Sequence, residues 1–170
     1  MLAAINKVID RVENVAMIIF MFVATVVAII QVIARYGFNS SLYWSEELII
    51  YTLISMSFLA GSMGVRYAAH IAVEVLPVLA GPKVAKVLHV VATILGILFA
   101  LMLIWYGGAL SLKTLKIGQL SPAMRFPVGY VYAIIPISGV LMLLRHWWIL
   151  VCIVFNRPYE SLSMGITSGT

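Results

Sequence analysis

Residues 87–112 read VLHVVATILGILFALMLIWYGGALSL, between Lys86 and Lys113, with no Asp, Glu, Lys or Arg. A bilayer core needs roughly 20 apolar helical residues to cross it. This run exceeds that length, so it predicts a helix that tilts or projects beyond the lipid. Three other runs share its character: 14–34 between Glu13 and Arg35, 48–65 between Glu47 and Arg66, and 126–144 between Arg125 and Arg145. The last can continue through HWWILVCIVF, 146–155. Lipid offers no partner to a free backbone N–H or C=O, so each span is predicted to be helical. The expected fold is an all-α integral membrane protein: four transmembrane helices over about 14–35, 44–65, 83–112 and 126–155, plus short amphipathic interfacial helices. One domain, 1–160, carries them, and the tail 161–170, SLSMGITSGT, is expected to be flexible.

The composition agrees. Of 170 residues, 64% are apolar and 10% charged. Soluble domains carry about 25% charged residues and cannot hide so much apolar surface. The formal charge of +5 is scattered among loops with no basic stripe. In a membrane protein such an excess reports topology and contact with anionic lipid, and it argues against nucleic acid. Cys152 is the only cysteine, which leaves no internal disulfide or thiolate cluster; it reads as a small hydrophobe.

The flanking segments are amphipathic. MLAAINKVIDRVEN, 1–14, carries both charge signs ahead of the apolar run, which argues against a cleavable signal peptide. Leu2, Ile5, Val8, Ile9 and Val12 fall near helical spacing and predict a short surface helix, with a frayed terminus as the alternative. RYAAHIAVEVLPVLAGPKVAK, 66–86, is too interrupted to span and is expected to lie at the surface as a second short helix. Gly81 should break it, and Pro82 suits the first turn of the third span. Pro127 suits the start of the fourth, and Pro136 inside that span predicts a kink.

Four spans put both termini on one side. The N-terminal tail, the 66–86 segment and the C-terminal tail hold seven of the 11 lysines and arginines. The positive-inside rule therefore places both termini in the cytoplasm and the 35–47 and 113–125 loops outside.

Chemistry is sparse. No charged residue lies near a span centre, where ion or proton carriers usually need one. Thr25, Thr52, Ser55, Ser57, Ser62, Thr93 and Ser138 are expected to bond their own or neighbouring helix backbones. His70, His89 and His146 fall near one face, but no HxxxH pair or acidic companion supports metal or haem, so they read as separate interfacial histidines. No nucleophile elbow or phosphate-cradling glycine loop occurs, so no enzyme activity is expected. Ser57–Gly61 and Ala60–Gly64 have small-xxx-small spacing and favour close helix packing, with filler in a lipid-facing helix as the alternative.

The 34–48 stretch, ARYGFNSSLYWSEEL, concentrates what polarity there is. Asn39, Ser40 and Ser41 are turn and cap residues ahead of the second helix. Tyr36, Phe38, Tyr43 and Trp44 suit the headgroup zone. Glu46 and Glu47 complement the positive end of the helix they start. Helix geometry points these two about 100° apart. One can pair with Arg35 and fix two helices, while the other faces water or a partner; either glutamate fits either role.

With these residues in hand, the chain resembles the small membrane subunit of tripartite ATP-independent periplasmic transporters. RYGFNSSLYWSEEL, GVRYAAHIAVEVL and GQLSPAMRFPVGYVYAIIPISGVLMLLR carry the resemblance across about 110 residues. Arg35, Tyr36 and Phe38 match an R-Y-x-F stretch, and Trp44, Glu46 and Glu47 a W-x-E-E motif. Arg66 and His70 match R-x-x-x-H, with Glu74 following; Gln119, Ser121, Pro122 and Pro136 match the late segment. The resemblance implies a small permease subunit in a bacterial inner membrane, serving a sodium-driven symporter of organic acids such as sialic acids or four-carbon dicarboxylates. A separate large membrane subunit would carry substrate and sodium and move by an elevator motion, and a periplasmic substrate-binding protein would deliver cargo. This chain would need no cofactor and would serve as scaffold and docking aid. Arg35, Tyr36, Trp44, Glu46, Glu47, Arg66, His70, Gln119, Ser121 and Pro122 are then the candidate helix-fixing or partner-interface residues. The alternatives are a stand-alone small carrier and an assembly subunit of another membrane complex.

Overall fold

The computed structural model describes the backbone of residues 2–154, with side chains described outside 2–8, 66–80, 82, 83, 85 and 152–154. The expected flexible tail, 161–170, lies outside the described residues, and so does the side chain of Cys152, read above as a small hydrophobe. Five helices follow one another: α1 (Leu2–Gly37), α2 (Tyr43–Ala80), α3 (Pro82–Ile117), α4 (Val128–Tyr132) and α5 (Ile134–Val154). Four stretches are long and apolar enough to cross a membrane: Ile9–Gly37, Tyr43–Val65, Lys86–Ile117 and Val128–Val151.

The expected surface helices are not separate elements. The amphipathic N-terminus is the first part of α1, and 66–80 continues α2 without a break. Helical hydrogen bonding is indifferent to where the lipid ends, so helix continues until the backbone is interrupted. Gly81 interrupts it, at φ 77, and Pro82 opens α3 as predicted. At 36 residues α3 is roughly 54 Å long, well beyond the bilayer core of about 30 Å.

The fourth span divides at Ala133, between α4 and α5. Pro136 has no N–H for the carbonyl of Tyr132, so the helical ladder loses a rung there. The predicted kink is therefore a local break one turn ahead of the proline.

The helices meet along stripes of period near 3.5. On α1 the enclosed positions are Glu13, Ala24 and Val27, joined by half-buried Met17, Phe20, Gln31 and Ala34 at alternating spacings of four and three. That stripe seats α1 chiefly on α2. Among the described side chains of α2 the buried ones are Ser45, Thr52, Ser55, Leu59 and Ser62. On α3, Thr93, Ala100, Gly107 and Thr114 recur at seven-residue intervals and are all buried. Here α3 packs against α4 and α5 at glycines. A Cβ on Gly107 would stand 2.6 Å from Ile135 Cγ2, and one on Gly139 3.0 Å from Ile104 Cγ1. A Cβ on Gly96 would overlap the ring of His146, and one on Gly129 would overlap Leu115. Ser111 Oγ donates across this seam to Gly129 O at 2.8 Å. Small residues let backbones approach, which is the main packing device where lipid removes the hydrophobic drive between helices.

The small-xxx-small segment of α2 does not take part. Cβ atoms on Gly61 and Gly64 would meet nothing within 4 Å, and Ser57 and Ala60 are exposed with them. Close packing inside the bundle is carried by α3 and α5 instead.

Candidate functional site

Beyond Ile117 the chain makes a compact loop. Gly118 is left-handed, at φ 70. Its N–H bonds Leu115 O, and Gln119 N–H bonds Thr114 O, which closes the helix end. Leu120 then pairs antiparallel with Pro127, Ser121 N–H bonds Phe126 O, and Val128 N–H bonds Gln119 O. Arg125 N–H bonds Ser121 O at 3.1 Å, giving one helical turn over Ser121–Arg125. The first amides of such a turn have no partner within it. Pro122 has no N–H, so Ala123 and Met124 offer them.

Glu47, in the first turns of α2, receives these amides. Its Oε2 accepts from Ala123 N–H at 3.1 Å, Met124 N–H at 2.9 Å and the buried Ser121 hydroxyl at 2.7 Å. Its Oε1 accepts from the Tyr51 hydroxyl at 3.0 Å. One carboxylate thus fastens the α3–α4 loop to α2. Charged acceptors make shorter and stronger hydrogen bonds than neutral ones. Glu46 points the other way and takes a bond from Gln31 Nε2 at 3.0 Å, linking α2 to α1.

The pairing with Arg35 does not form. Arg35 is exposed at the end of α1 and makes no ion pair with either glutamate. Neutral donors satisfy Glu47 without the desolvation of a guanidinium, which is the physical reason they prevail. Asn39 supplies a left-handed turn residue, at φ 53, but among the described residues no side chain of 39–41 caps α2; the Ser45 hydroxyl bonds Leu42 O instead. Tyr36, Phe38 and Tyr43 are strongly exposed and Trp44 partly so. Gln119 acts through its backbone, Ser121 through its hydroxyl, and Pro122 through its ring. The side chains of Arg66, His70 and Glu74 lie outside the described residues.

A second polar cluster, absent from the sequence-based candidates, sits at the opposite end. Glu13 is 2% exposed; its Oε1 accepts from Ser62 Oγ at 2.7 Å and its Oε2 pairs with Arg145. Arg145 also pairs with Asp10 at 2.8 Å. One guanidinium therefore joins α1 to α5, and Ser62 brings in α2. Asp10 and Glu13 lie three residues apart on one helix face, and Glu13 falls on the inward stripe of α1; that was the legible signal. Next to it, His146 Nδ1–H donates to Met142 O at 2.9 Å while the ring fills the space at Gly96.

Between these ends the hydroxyls turn to their own helices. Thr25 bonds Met21 O, Thr52 Leu48 O, Ser55 Tyr51 O, Ser57 Leu53 O and Thr93 His89 O, at 2.7 to 3.0 Å.

These features define a polytopic helical membrane protein in which polar groups of the described residues tie helices together and fasten one loop. The chain belongs to the family described as tripartite ATP-independent periplasmic transporters, DctQ component, whose family model matches residues 24–155. It is also similar to the C4-dicarboxylate TRAP transporter small permease protein DctQ of Vibrio cholerae serotype O1, at 30% identity over 95 residues. That match covers 56% of this chain and 41% of the relative, so the chain spans less than half of the relative's length. The family makes this chain a transporter component in a membrane.

Proposed function

We propose that this chain is the small permease subunit of a sodium-driven symporter for organic acids of the dicarboxylate or sialic acid class. It acts as static scaffold for a large membrane subunit and helps to dock a periplasmic substrate-binding protein. Both termini face the cytoplasm, in a bacterial inner membrane. Substrate and sodium sites, and the elevator motion, belong to the large subunit; this chain needs no cofactor and catalyses no reaction. Family membership supports the subunit assignment, and the relative's name supports the dicarboxylate class. One observation carries the scaffold reading: the described serine and threonine hydroxyls within the spans are engaged by backbone carbonyls or, at Ser62, by Glu13. Transporters place coordinating groups near the bilayer midplane, where this chain offers hydroxyls already bonded to carbonyls.

In this reading Glu47, Ser121, Gln119 and Pro122 shape the outer loop. Arg35, Tyr36, Trp44 and Glu46 border it as partner contacts, while Arg66 and His70 serve the inner side. The exposed Ser57–Gly64 strip of α2 offers a smooth surface to a helix of the large subunit. Reconstitution tests the assignment. Vesicles with this chain alone should take up no substrate. Vesicles with both membrane subunits and the binding protein should show sodium-dependent uptake; uptake by the lone chain would overturn the scaffold role.

A further inference from the structure

The two ends of the bundle dispose of charge in opposite ways. At the end where α1 begins and α5 finishes, Arg145 is engaged by Asp10 and Glu13. At the other end the carboxylate is engaged and the cations are left over. Glu47 is filled by the hydroxyls of Ser121 and Tyr51 and by two backbone amides, all neutral donors. Glu46, the other acid there, is held by Gln31. Arg35, Lys113, Lys116 and Arg125 are exposed, and none has an ion-pair partner among the described residues. Arg125 rides in the loop that Glu47 fastens, at φ 52, a left-handed conformation that only a well-held loop sustains in a residue with a Cβ.

We propose that this end is a docking surface for an acidic face of a soluble protein, with Arg125 and Arg35 as its principal contacts. The inference rests on the outward orientation and docking role given above. Charge of one sign at a rim accelerates encounter with a partner of opposite sign. Arginine also binds carboxylates bidentately and with direction. A protein partner is favoured over anionic lipid by the order of the loop. Glu47, the left-handed Gly118 and the Leu120–Pro127 pairing fix it between spans that end at Ile117 and begin at Val128. A preorganised loop loses little freedom on meeting a partner of fixed shape. Attraction to anionic headgroups needs only basic charge near the surface. Exposed Tyr36, Phe38 and Tyr43 add rigid contact area beside Arg35.

The test uses the complete transporter, both membrane subunits in lipid nanodiscs, with its soluble binding protein. Association is measured for the wild type, R35E/R125E and R35Q/R125Q at low and high salt. Charge reversal should slow association about tenfold or more at low salt, with a smaller loss for the neutral pair, and the differences should shrink at high salt. Unchanged or faster association of R35E/R125E would overturn the proposal. So would a loss of retention on anionic vesicles with binding-protein affinity intact, which would point to lipid. If reversal prevents assembly with the large subunit, the neutral pair decides alone, by slowed or unslowed association at low salt. Replacing 119–127 with a Gly/Ser linker separates the two levels. Undiminished binding then removes the docking role itself; lost binding with insensitivity to R35E/R125E leaves docking intact and removes its charge basis.

Discussion

Glu47 sets the position of a loop that follows it in the chain by more than seventy residues. Its two oxygens serve different partners, the loop through Oε2 and Tyr51 through Oε1. Glutamine keeps the shape but has one acceptor oxygen and presents two N–H donors where donors already converge. E47Q should therefore free the loop: backbone amide exchange at Ala123 and Met124 should accelerate clearly, read by hydrogen–deuterium exchange of the 119–127 peptide. S121A should give a smaller acceleration, because both amides keep their acceptor. E46Q should leave that peptide unchanged, since Glu46 faces Gln31. The divergence of the two glutamates was legible from helix geometry alone. The direction each takes was not, because two of Glu47's four donors are backbone amides, which leave no mark on a sequence beyond the Ser-Pro that exposes them.

At the scale of elements, the α3–α5 seam is a prediction about volume. G96A and G129A each place a methyl group into occupied space, against His146 and Leu115. Overpacking of this kind costs about 1–3 kcal/mol, and both variants should unfold at lower temperature in detergent. G61A adds its methyl to open space and should leave the isolated subunit's stability unchanged. A loss of co-purification with the large subunit in G61A would then mark that strip as the surface between subunits. The spans themselves were legible from uncharged length, and Gly81, Pro82 and Pro136 from their backbone chemistry. The destination of the small residues was not. Ser57–Gly61 has the same spacing as Gly96–Ala100 and Gly107–Ser111, and only the tertiary arrangement shows which of them faces a neighbour.

Across the whole molecule, polar ties lie at both ends. Removing one partner of a buried ion pair strands the other, at a cost of about 3–5 kcal/mol. R145A strands the buried Glu13 and should approach that figure in the unfolding of the purified subunit; E13A and D10A each leave Arg145 one acid and should cost less, D10A least because the more deeply buried acid stays paired. The exchange E13R/R145E should recover part of what either single change loses, measured as a double-mutant cycle. Sequence reading set Glu13 and Arg145 at the borders of separate spans; that their depths coincide follows from the topology, but that their faces coincide depends on how α1 leans on α2.

The lean of α1 has a practical corollary. It rests chiefly on α2, with an arginine at one extremity and an amide at the other to keep it in register. A helix that enters lipid on its own and then associates sideways does not need a peptide bond to its neighbour. Two plasmids, one ending near Phe38 and one beginning near Ser41, should yield fragments that find each other in the membrane and rebuild the subunit.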